Sequence, residues 1–143
     1  MNSQKFLVGG IVGGIVYFLL GWLIYGMLLR DFMSNNMSAP GIMKADADMI
    51  WWALIVGNIL MGFLVTYVLS KAKATSAGAG AGVGFVLGLL MSLSYDLIMF
   101  ATSNVMSSLK GLAVDVAVSA VMSAIVGAVI GAILGGKKAM ATA

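Results

Sequence analysis

The sequence predicts an all-α membrane protein whose four transmembrane helices form two consecutive helical hairpins. Of its 143 residues, 62% are hydrophobic and only 9% are charged, whereas a soluble domain carries about 25% charged residues. Four apolar runs, at 6–29, 49–70, 77–100 and 112–136, are each long enough to cross a bilayer, since a spanning helix needs about 20 residues. We therefore expect one transmembrane domain over 1–143, with hairpins at 1–72 and 73–143.

The composition excludes several classes of function. The chain contains no Cys, no His and no Glu, and it has a single Arg. Disulfides, thiol chemistry, haem held by His and the usual zinc sites are therefore excluded. One Arg does not suit the recognition of phosphate or nucleic acid. We expect a protein that is not an enzyme, uses no cofactor or metal and does not bind nucleic acid.

The first apolar run is predicted to be an uncleaved helix. It is longer than the roughly 7–15-residue core of a signal peptide, and no small-residue cleavage site follows it directly. Its first half carries Gly9, Gly10, Gly13 and Gly14. Glycines inside a spanning helix are typical of close contacts between helices.

A polar segment at 30–48 is the longest predicted loop. An Ala-Pro-Gly step at 39–41 indicates a turn. Asp46 or Asp48 could cap the second helix by accepting from free N–H groups at its start. Asn58 lies deep within that helix, and because an unsatisfied amide is costly there, we expect it to face a neighbouring helix.

The third and fourth runs carry matching ridges, because fourth neighbours lie along one side of an α-helix. In the third run the ridge reads Gly80, Gly84, Gly88, Ser92 and Asp96. In the fourth run the order is reversed: Asp115, Ser119, Ser123, Gly127, Gly131 and Gly135. If the two helices are antiparallel neighbours, the glycines form a packing seam and the Ser and Asp residues meet at its other end.

The charges predict an orientation. The lysines at the termini and in the 71–76 link share one side, whereas all five Asp lie in or near the opposite loops. Basic residues in short flanks favour the cytoplasm, so we expect both termini to be cytoplasmic, in the cell inner membrane. These lysines either bind anionic lipid headgroups as well or serve only to orient the chain. They are Lys5, Lys71, Lys73, Lys137 and Lys138.

An internal repeat is also indicated. A shift of 69 positions aligns the pattern SNxMS at 34–38 with the same pattern at 103–107, and Gly62 with Gly131, without gaps. Two such hairpins would be related by an axis roughly along the membrane normal.

The opening GIVGGIVYFLLGWLIYGMLLRDFM, at 10–33, supports a family resemblance. It resembles the first helix of a family of small four-helix bacterial membrane proteins that is classed as a domain of unknown function. The resemblance covers the number of helices, the size of the chain and the Gly, Trp and Tyr pattern that ends the first helix. It implies a four-helix bundle and carries no catalytic residues.

Two carboxylates are the main candidate binding site. Asp96 and Asp115 would share an outer vestibule if their helices face each other, and acids within a membrane are candidates for function. Such a pair would suit a proton or a cation, with serine hydroxyls as further oxygen donors. Alternatively, Asp115 only caps its helix, and Asp96 only bonds Lys110 or Asn104. The remaining predicted binding residues are Ser92, Ser119, Ser123 and Asn58.

Methionines gather on the same predicted side. Thioethers are soft ligands that accept Cu(I), but methionine also fills irregular apolar gaps. Because no His or Cys assists them, we expect no metal site. These residues are Met33, Met37, Met43, Met49, Met99 and Met106.

Two classes of function remain. The sequence favours a structural or assembly role, in which the bundle packs with itself as a homo-oligomer, with lipid or with a larger membrane complex. The alternative is a small transporter or channel for protons, cations or a small solute through the Ser/Asp vestibule. The inner halves of the third and fourth helices carry only Gly, Ala and aliphatic residues, which argues against a pore within one chain.

Overall fold

The computed structural model describes residues 2–36 and 44–136, and nearly all of them are helical. Within these residues there is no strand. A π-helical turn at Ile24–Leu28 prolongs the first helix, and a 3-10 turn at Asp46–Asp48 precedes the third. The α-helices are α1 Ser3–Leu23, α2 Arg30–Asn36, α3 Trp51–Lys71, α4 Ala77–Thr102 and α5 Leu109–Gly135.

Four stretches are long and apolar enough to cross a membrane, namely Ser3–Leu28, Trp51–Lys71, Ala77–Thr102 and Leu109–Gly135. Their outer surfaces expose large apolar side chains, such as Trp52 and Leu60. An apolar surface of this extent matches lipid rather than water. The predicted fold class, an all-α multi-pass membrane protein with four transmembrane helices, is confirmed.

The segment at 30–48 is not the uninterrupted loop that we predicted. Its first part forms the short helix α2, which packs on the π-helical turn and on α5. No Gly or Pro interrupts 30–36, and Met33 is buried at this contact. Because most helical stability comes from packing of an apolar face, this contact explains a helix that polarity alone does not predict. The predicted turn at 39–41 lies outside the described residues.

The predicted cap of α3 is wrong. Ile50 precedes the helix, and no side chain caps its first turn. Asp48 and Asp46 belong to the 3-10 turn, and two non-helical residues, Met49 and Ile50, separate them from the helix. Asp46 instead pairs with Arg30 at 3.4 Å on an exposed surface, where such a pair contributes about 0–1 kcal/mol.

α4 and α5 form an antiparallel hairpin through direct backbone contact. A Cβ built at Gly80 would collide with the carbonyl oxygen of Gly127, and one at Gly84 with the carbonyl oxygen of Ser123. Gly131 lies equally close to the carbonyl of Ser76. Only glycine allows the two helices to approach this closely. We call this contact the α4–α5 seam, and its glycines are Gly80, Gly84, Gly88, Gly127, Gly131 and Gly135.

α1 and α3 form a second antiparallel pair with a glycine seam of its own. A Cβ built at Gly14 would lie 2.5 Å from the Cα atom of Ile59, and one at Gly62 would collide with the carbonyl oxygen of Gly10. Thr66 is fully buried beside this contact and donates a 2.7 Å hydrogen bond to the carbonyl of Gly62. The chain is therefore built from two glycine-packed hairpins.

α5 is the central helix, because it packs on α1, α3 and α4. Val126 and Ile130 of α5 are fully buried against Val65 and Leu69 of α3 and Tyr17 of α1. In the described part of the chain, α1 and α4 both pack on α5 but not on each other. A space is therefore left between α1 and α4.

The contacts of the two hairpins do not follow one common shift. Gly14 lies over the carbonyl of Asn58, and Gly80 lies over the carbonyl of Gly127. Gly14 and Gly80, in the first helix of each hairpin, are thus 66 residues apart. Asn58 and Gly127, in the second helix of each hairpin, are 69 residues apart. The gapless shift pairs Gly78 with the buried Gly9, but a Cβ added at Gly78 would meet no atom of another residue within 4 Å. The internal repeat stays a prediction.

Lysines mark one end of the bundle. Lys5 donates to the carbonyl oxygens of Leu134 at 2.7 Å and Gly136 at 2.5 Å, so it binds the free carbonyls at the end of α5. Lys5, Lys71 and Lys73 together line a cleft at this end. We call this the lysine end and the opposite end the α2 end. Lys137 and Lys138 lie outside the described residues.

Candidate functional site

A cavity of about 560 Å³ lies between α1, α4 and α5, in the half of the bundle near the α2 end. It occupies the space that remains because α1 and α4 do not pack on each other. The polar ends of the two predicted ridges, on α4 and α5, line this cavity. The predicted binding residues that line the cavity are Ser92, Asp96, Asp115, Ser119 and Ser123.

Asp96 is the most unusual side chain in the cavity. It is only 2% exposed, and its Oδ2 atom accepts no hydrogen bond from any described residue. The half-buried Asp115, on the facing helix, lines the same cavity. Because two carboxylates are both acceptors, a hydrogen bond between them requires a shared proton. A buried acid in a membrane that shares a cavity with a second acid is a candidate site for a proton or a cation.

Asp115 does not cap its helix, contrary to one of the two expectations. Ser108 is the N-cap of α5, and its Oγ atom accepts from the N–H of Gly111 at 3.0 Å. α5 begins at Leu109, earlier than predicted, so Asp115 lies about 9 Å inside the helix at 1.5 Å per residue. The N–H groups near Asp115 are already bonded within the helix, which leaves its carboxyl free for the cavity.

Asp96 likewise makes neither of the alternative bonds considered for it. α4 continues to Thr102, so Asp96 also lies about 9 Å from its helix end. Lys110 lies over the ring of Phe32 instead, 5.6 Å from its centroid. Asn104 is exposed in the link between the helices. The two carboxyls are thus deeper than the sequence indicated, and they are not neutralised by a described basic residue.

Tyr17 of α1 and Tyr25 of the π-helical turn complete the polar wall, and the sequence did not predict a role for them. Tyr17 donates a 2.8 Å hydrogen bond to Ser123, and Tyr25 pairs with Ser119 at 3.3 Å. Tyr25 and Asp115 line the same cavity. Tyr25 sits in the π-helical turn, a feature that is frequent at functional sites because it re-aims side chains. Tyrosines inside an apolar run are the signal that could have found them, because a buried tyrosine hydroxyl usually needs a hydrogen-bond partner.

The floor of the cavity is closed by the α4–α5 seam. The side chain of Ser123 fills the space beside Gly88, where any added Cβ would collide with it. Ser92 turns its hydroxyl to the carbonyl of Gly88 at 2.8 Å. From this level to the lysine end, Gly84 and Gly80 hold the helices in backbone contact. The seam therefore closes the space between α4 and α5 from this level to the lysine end.

Asn58 lies outside this cavity. It lines an adjacent cleft of about 490 Å³ between α1 and α3, and its Nδ2 atom donates to the carbonyl of Leu54 at 2.8 Å. Tyr17, Tyr25 and Met122 form the wall that separates the two spaces, since they line both. The structure therefore brings together five of the six predicted binding residues and places the sixth behind the tyrosine wall.

α2 is fastened to the start of α5 and to the link that precedes it. The backbone carbonyl of Asn36 accepts from the N–H of Ser107 at 3.0 Å, and its Oδ1 atom accepts from Ser108 at 2.6 Å. Met33 and Met106 are buried beneath this contact, as apolar filling. Met37 and Met43, which the sequence grouped with them, lie outside the described residues.

The donor set decides what the cavity can hold. Among the described residues, no group of three or more His, Cys, Asp or Glu is placed to hold a metal ion. Two carboxyls with nearby hydroxyls instead suit a proton shared between the acids, or a singly charged cation in its place. No described basic residue lines the cavity.

Comparison with models of protein families gives no match for this chain, and comparison with curated proteins and with solved structures finds no similar protein. The family resemblance of the first helix stays an expectation.

Proposed function

We propose that this protein is a small membrane bundle that binds a proton or a singly charged cation between Asp96 and Asp115. The observation that carries the proposal is the 2% exposure of Asp96, whose Oδ2 atom is without a partner in a cavity that contains a second carboxyl. Burial of an uncompensated acid is costly. A membrane protein that retains two of them side by side gains from what they bind.

Each polar group of the cavity has a definite part in this function. Asp96 and Asp115 supply the negative charge. The hydroxyls of Tyr17 and Tyr25 are held by Ser123 and Ser119, so the wall facing the acids keeps a fixed arrangement.

The function includes transport if the closed floor opens. In the described structure the α4–α5 seam blocks passage toward the lysine end. α4 is held mainly by α5 and has only a small contact with α3. A path from Asp96 to the lysine end would therefore require α4 and α5 to separate along this seam.

Ligand-dependent stability of the purified protein tests the proposal. A ligand that binds only the folded state raises stability by about 2.7 kcal/mol at 100 times its Kd. We expect the unfolding temperature in detergent to depend on pH or on one of Na⁺, K⁺ and Li⁺, and Asp96→Asn and Asp115→Asn each to abolish this dependence. Asp48→Asn, in the exposed 3-10 turn, is the matched control and should keep it. An unchanged dependence in both cavity variants would contradict the proposal.

An assembly role is the second candidate, and a separate observation favours it. Gly78 and Gly82 lie four residues apart on α4, and Gly57 lies on α3. A Cβ added at any of the three would meet nothing within 4 Å. Exposed glycines at this spacing are typical of helix contacts between chains. A homo-oligomer, or a contact with a larger membrane complex, would cover them. If Gly82→Leu leaves the oligomeric state in mild detergent unchanged, as measured by light scattering, this face is not such a contact.

The proposed location is the cell inner membrane, with both termini in the cytoplasm. Lys5, Lys71 and Lys73 lie together at the lysine end of the described structure, as the charge bias of a cytoplasmic face requires. We propose no enzymatic activity.

A further inference from the structure

We propose that the natural ligand of the Asp96 cavity is a lipophilic organic cation with a single positive charge. This inference rests on the proposed function and names the class of ligand that the same site takes. It follows from the size of the cavity, its charge, the chemistry of its walls and its opening toward lipid.

The size of the cavity exceeds what a proton or a metal ion needs. A volume of about 560 Å³ falls within the range of pockets that hold small organic molecules, about 300–1,000 Å³. Such pockets are mostly apolar and carry a few convergent polar groups. This cavity has that composition, because its polar groups are concentrated around Asp96 and Asp115 while methionines and tyrosine rings make up most of the remaining wall.

The charge of the cavity matches a single positive charge. Asp96 and Asp115 come from α4 and α5, and the other titratable groups that line the cavity are tyrosines from α1 and α4. When the two carboxyls share one proton, the pair carries one negative charge. A monovalent cation neutralises that charge, whereas an anion or a neutral solute leaves it buried and uncompensated.

The walls suit an organic cation better than a hydrated ion. The ring of Tyr95 and the rings of Tyr17 and Tyr25 line the cavity, and aromatic faces attract cations that have lost their water. Methionine side chains are polarizable and adapt to ligands of different shape. The methionines of the wall are Met61, Met91, Met106 and Met122.

The cavity also reaches the lipid-facing surface of the bundle. Tyr95 is 63% exposed and Met91 38% exposed, and both line the cavity from α4. In a membrane these side chains face the hydrocarbon rather than water. A lipophilic cation that has partitioned into the bilayer can therefore enter sideways, beside Tyr95, and reach the buried carboxyl of Asp96.

Binding of tetraphenylphosphonium to the purified protein in detergent tests this proposal, with calorimetry as the measurement. Tetraphenylborate, which has the same shape and the opposite charge, is the matched control probe and should not bind. We expect Asp96→Asn to weaken tetraphenylphosphonium binding by about tenfold or more, because the cation loses a charged partner. Tyr95→Ala, at an exposed position, should weaken it about two- to fivefold through the lost ring.

The outcomes separate the ligand class from the proposed function. Equal binding of both probes, or binding unchanged by Asp96→Asn, would overturn the organic-cation proposal as detergent-like adsorption. If tetraphenylphosphonium does not bind while pH or an inorganic cation still stabilises the protein through Asp96, the organic ligand is wrong and the proposed function stands. Circular dichroism and gel filtration establish that each variant is folded, and Asp115→Asn provides a second, independent removal of charge.

Discussion

Tyr17 of α1 donates a 2.8 Å hydrogen bond to Ser123 of α5, and both side chains are buried. Ser123 in turn fills the space beside Gly88 of α4. Three helices from the two hairpins therefore meet at the floor of the cavity. The membrane interior offers no water to a hydroxyl, so the hydroxyls of Tyr17 and Ser123 need a partner within the protein. This bond supplies it for both.

Removal of the Tyr17 hydroxyl tests the energetic weight of this contact. Tyr17→Phe keeps the ring and deletes only the donor, so the loss should be that of one hydrogen bond between membrane helices. Such bonds contribute about 0.6 kcal/mol on average and at most about 1.7 kcal/mol. We expect a corresponding decrease in the free energy of unfolding, measured by denaturant titration in detergent micelles.

Tyr67→Phe is the matched control for this prediction. Tyr67 is 48% exposed on α3, so loss of its hydroxyl should leave stability unchanged. Equal effects of the two substitutions would show that the Tyr17–Ser123 bond does not link the hairpins. Unchanged stability in both would show the same.

Two glycines of α4 should respond with opposite signs to the same substitution. A Cβ at Gly84 would collide with the carbonyl of Ser123 and lie 3.1 Å from the Cα atom of Gly127, so Gly84→Ala should destabilise the protein by about 1–3 kcal/mol. A Cβ added at Gly82, two residues away, would meet nothing within 4 Å. There alanine is the better helix former, by about 1 kcal/mol, so Gly82→Ala should stabilise it. Unfolding temperatures of the two variants, compared with the unmodified protein, give the signs directly.

Packing of α4 against α5 is the part of the fold that the sequence predicts best. The ridges that contain Gly84 and Gly127 identify their contact because a fourfold spacing fixes the face of a helix without reference to the rest of the chain. The same logic finds Asp96 and Asp115, which continue these ridges. Helix class and number follow from apolar length alone.

The partners of the cavity wall could not be predicted in this way. Tyr17 and Ser123 are 106 residues apart, and Tyr25 and Ser119 are 94 apart. Their contacts depend on how α1 rests on α5, which no local pattern encodes. The π-helical turn that carries Tyr25 adds a residue to one turn and so shifts the face that simple periodicity predicts.

Helix ends were predicted least well, because caps compete locally. Ser108 and Asp115 both stand near the start of α5 and both can cap a helix. The serine takes this role because its Oγ atom is three residues from Gly111, whose N–H it binds at 3.0 Å. Asp115 is thereby left for the cavity, so the wrong assignment of a cap concealed how deep this acid lies.

The membrane orientation is testable with reporter fusions. The lysines at both termini and in the 71–76 link outnumber those of the opposite side, so a fusion of alkaline phosphatase at Ala143 should be inactive. The same enzyme inserted near Gly41 should be active, because that loop is expected outside the cytoplasm. Green fluorescent protein at the same two positions should give the reverse pattern. Phosphatase activity at Ala143 would invert the orientation proposed for the Asp96 cavity.

The contact that fastens α2 should respond to a change at one of two neighbouring asparagines. Asn36 accepts a 2.6 Å hydrogen bond from Ser108 through its side chain, and Ser108 also caps α5 through the N–H of Gly111 at 3.0 Å. Asn36→Ala removes the bond to Ser108 and should cost about 1 kcal/mol. Asn35→Ala, at an exposed position one residue earlier, alters the same short helix without touching Ser108.

Hydrogen exchange separates a local fastening from a general loss of stability. If α2 is held through Asn36, the amides at 107–112 should exchange faster in Asn36→Ala, while those at the α4–α5 seam keep their protection. Asn35→Ala should change neither set. Faster exchange along the whole of α5 would mean that Asn36 supports the fold globally. No change at 107–112 would mean that α2 is held by the backbone bond between Ser107 and Asn36 and by the burial of Met33, and not by the Asn36 side chain.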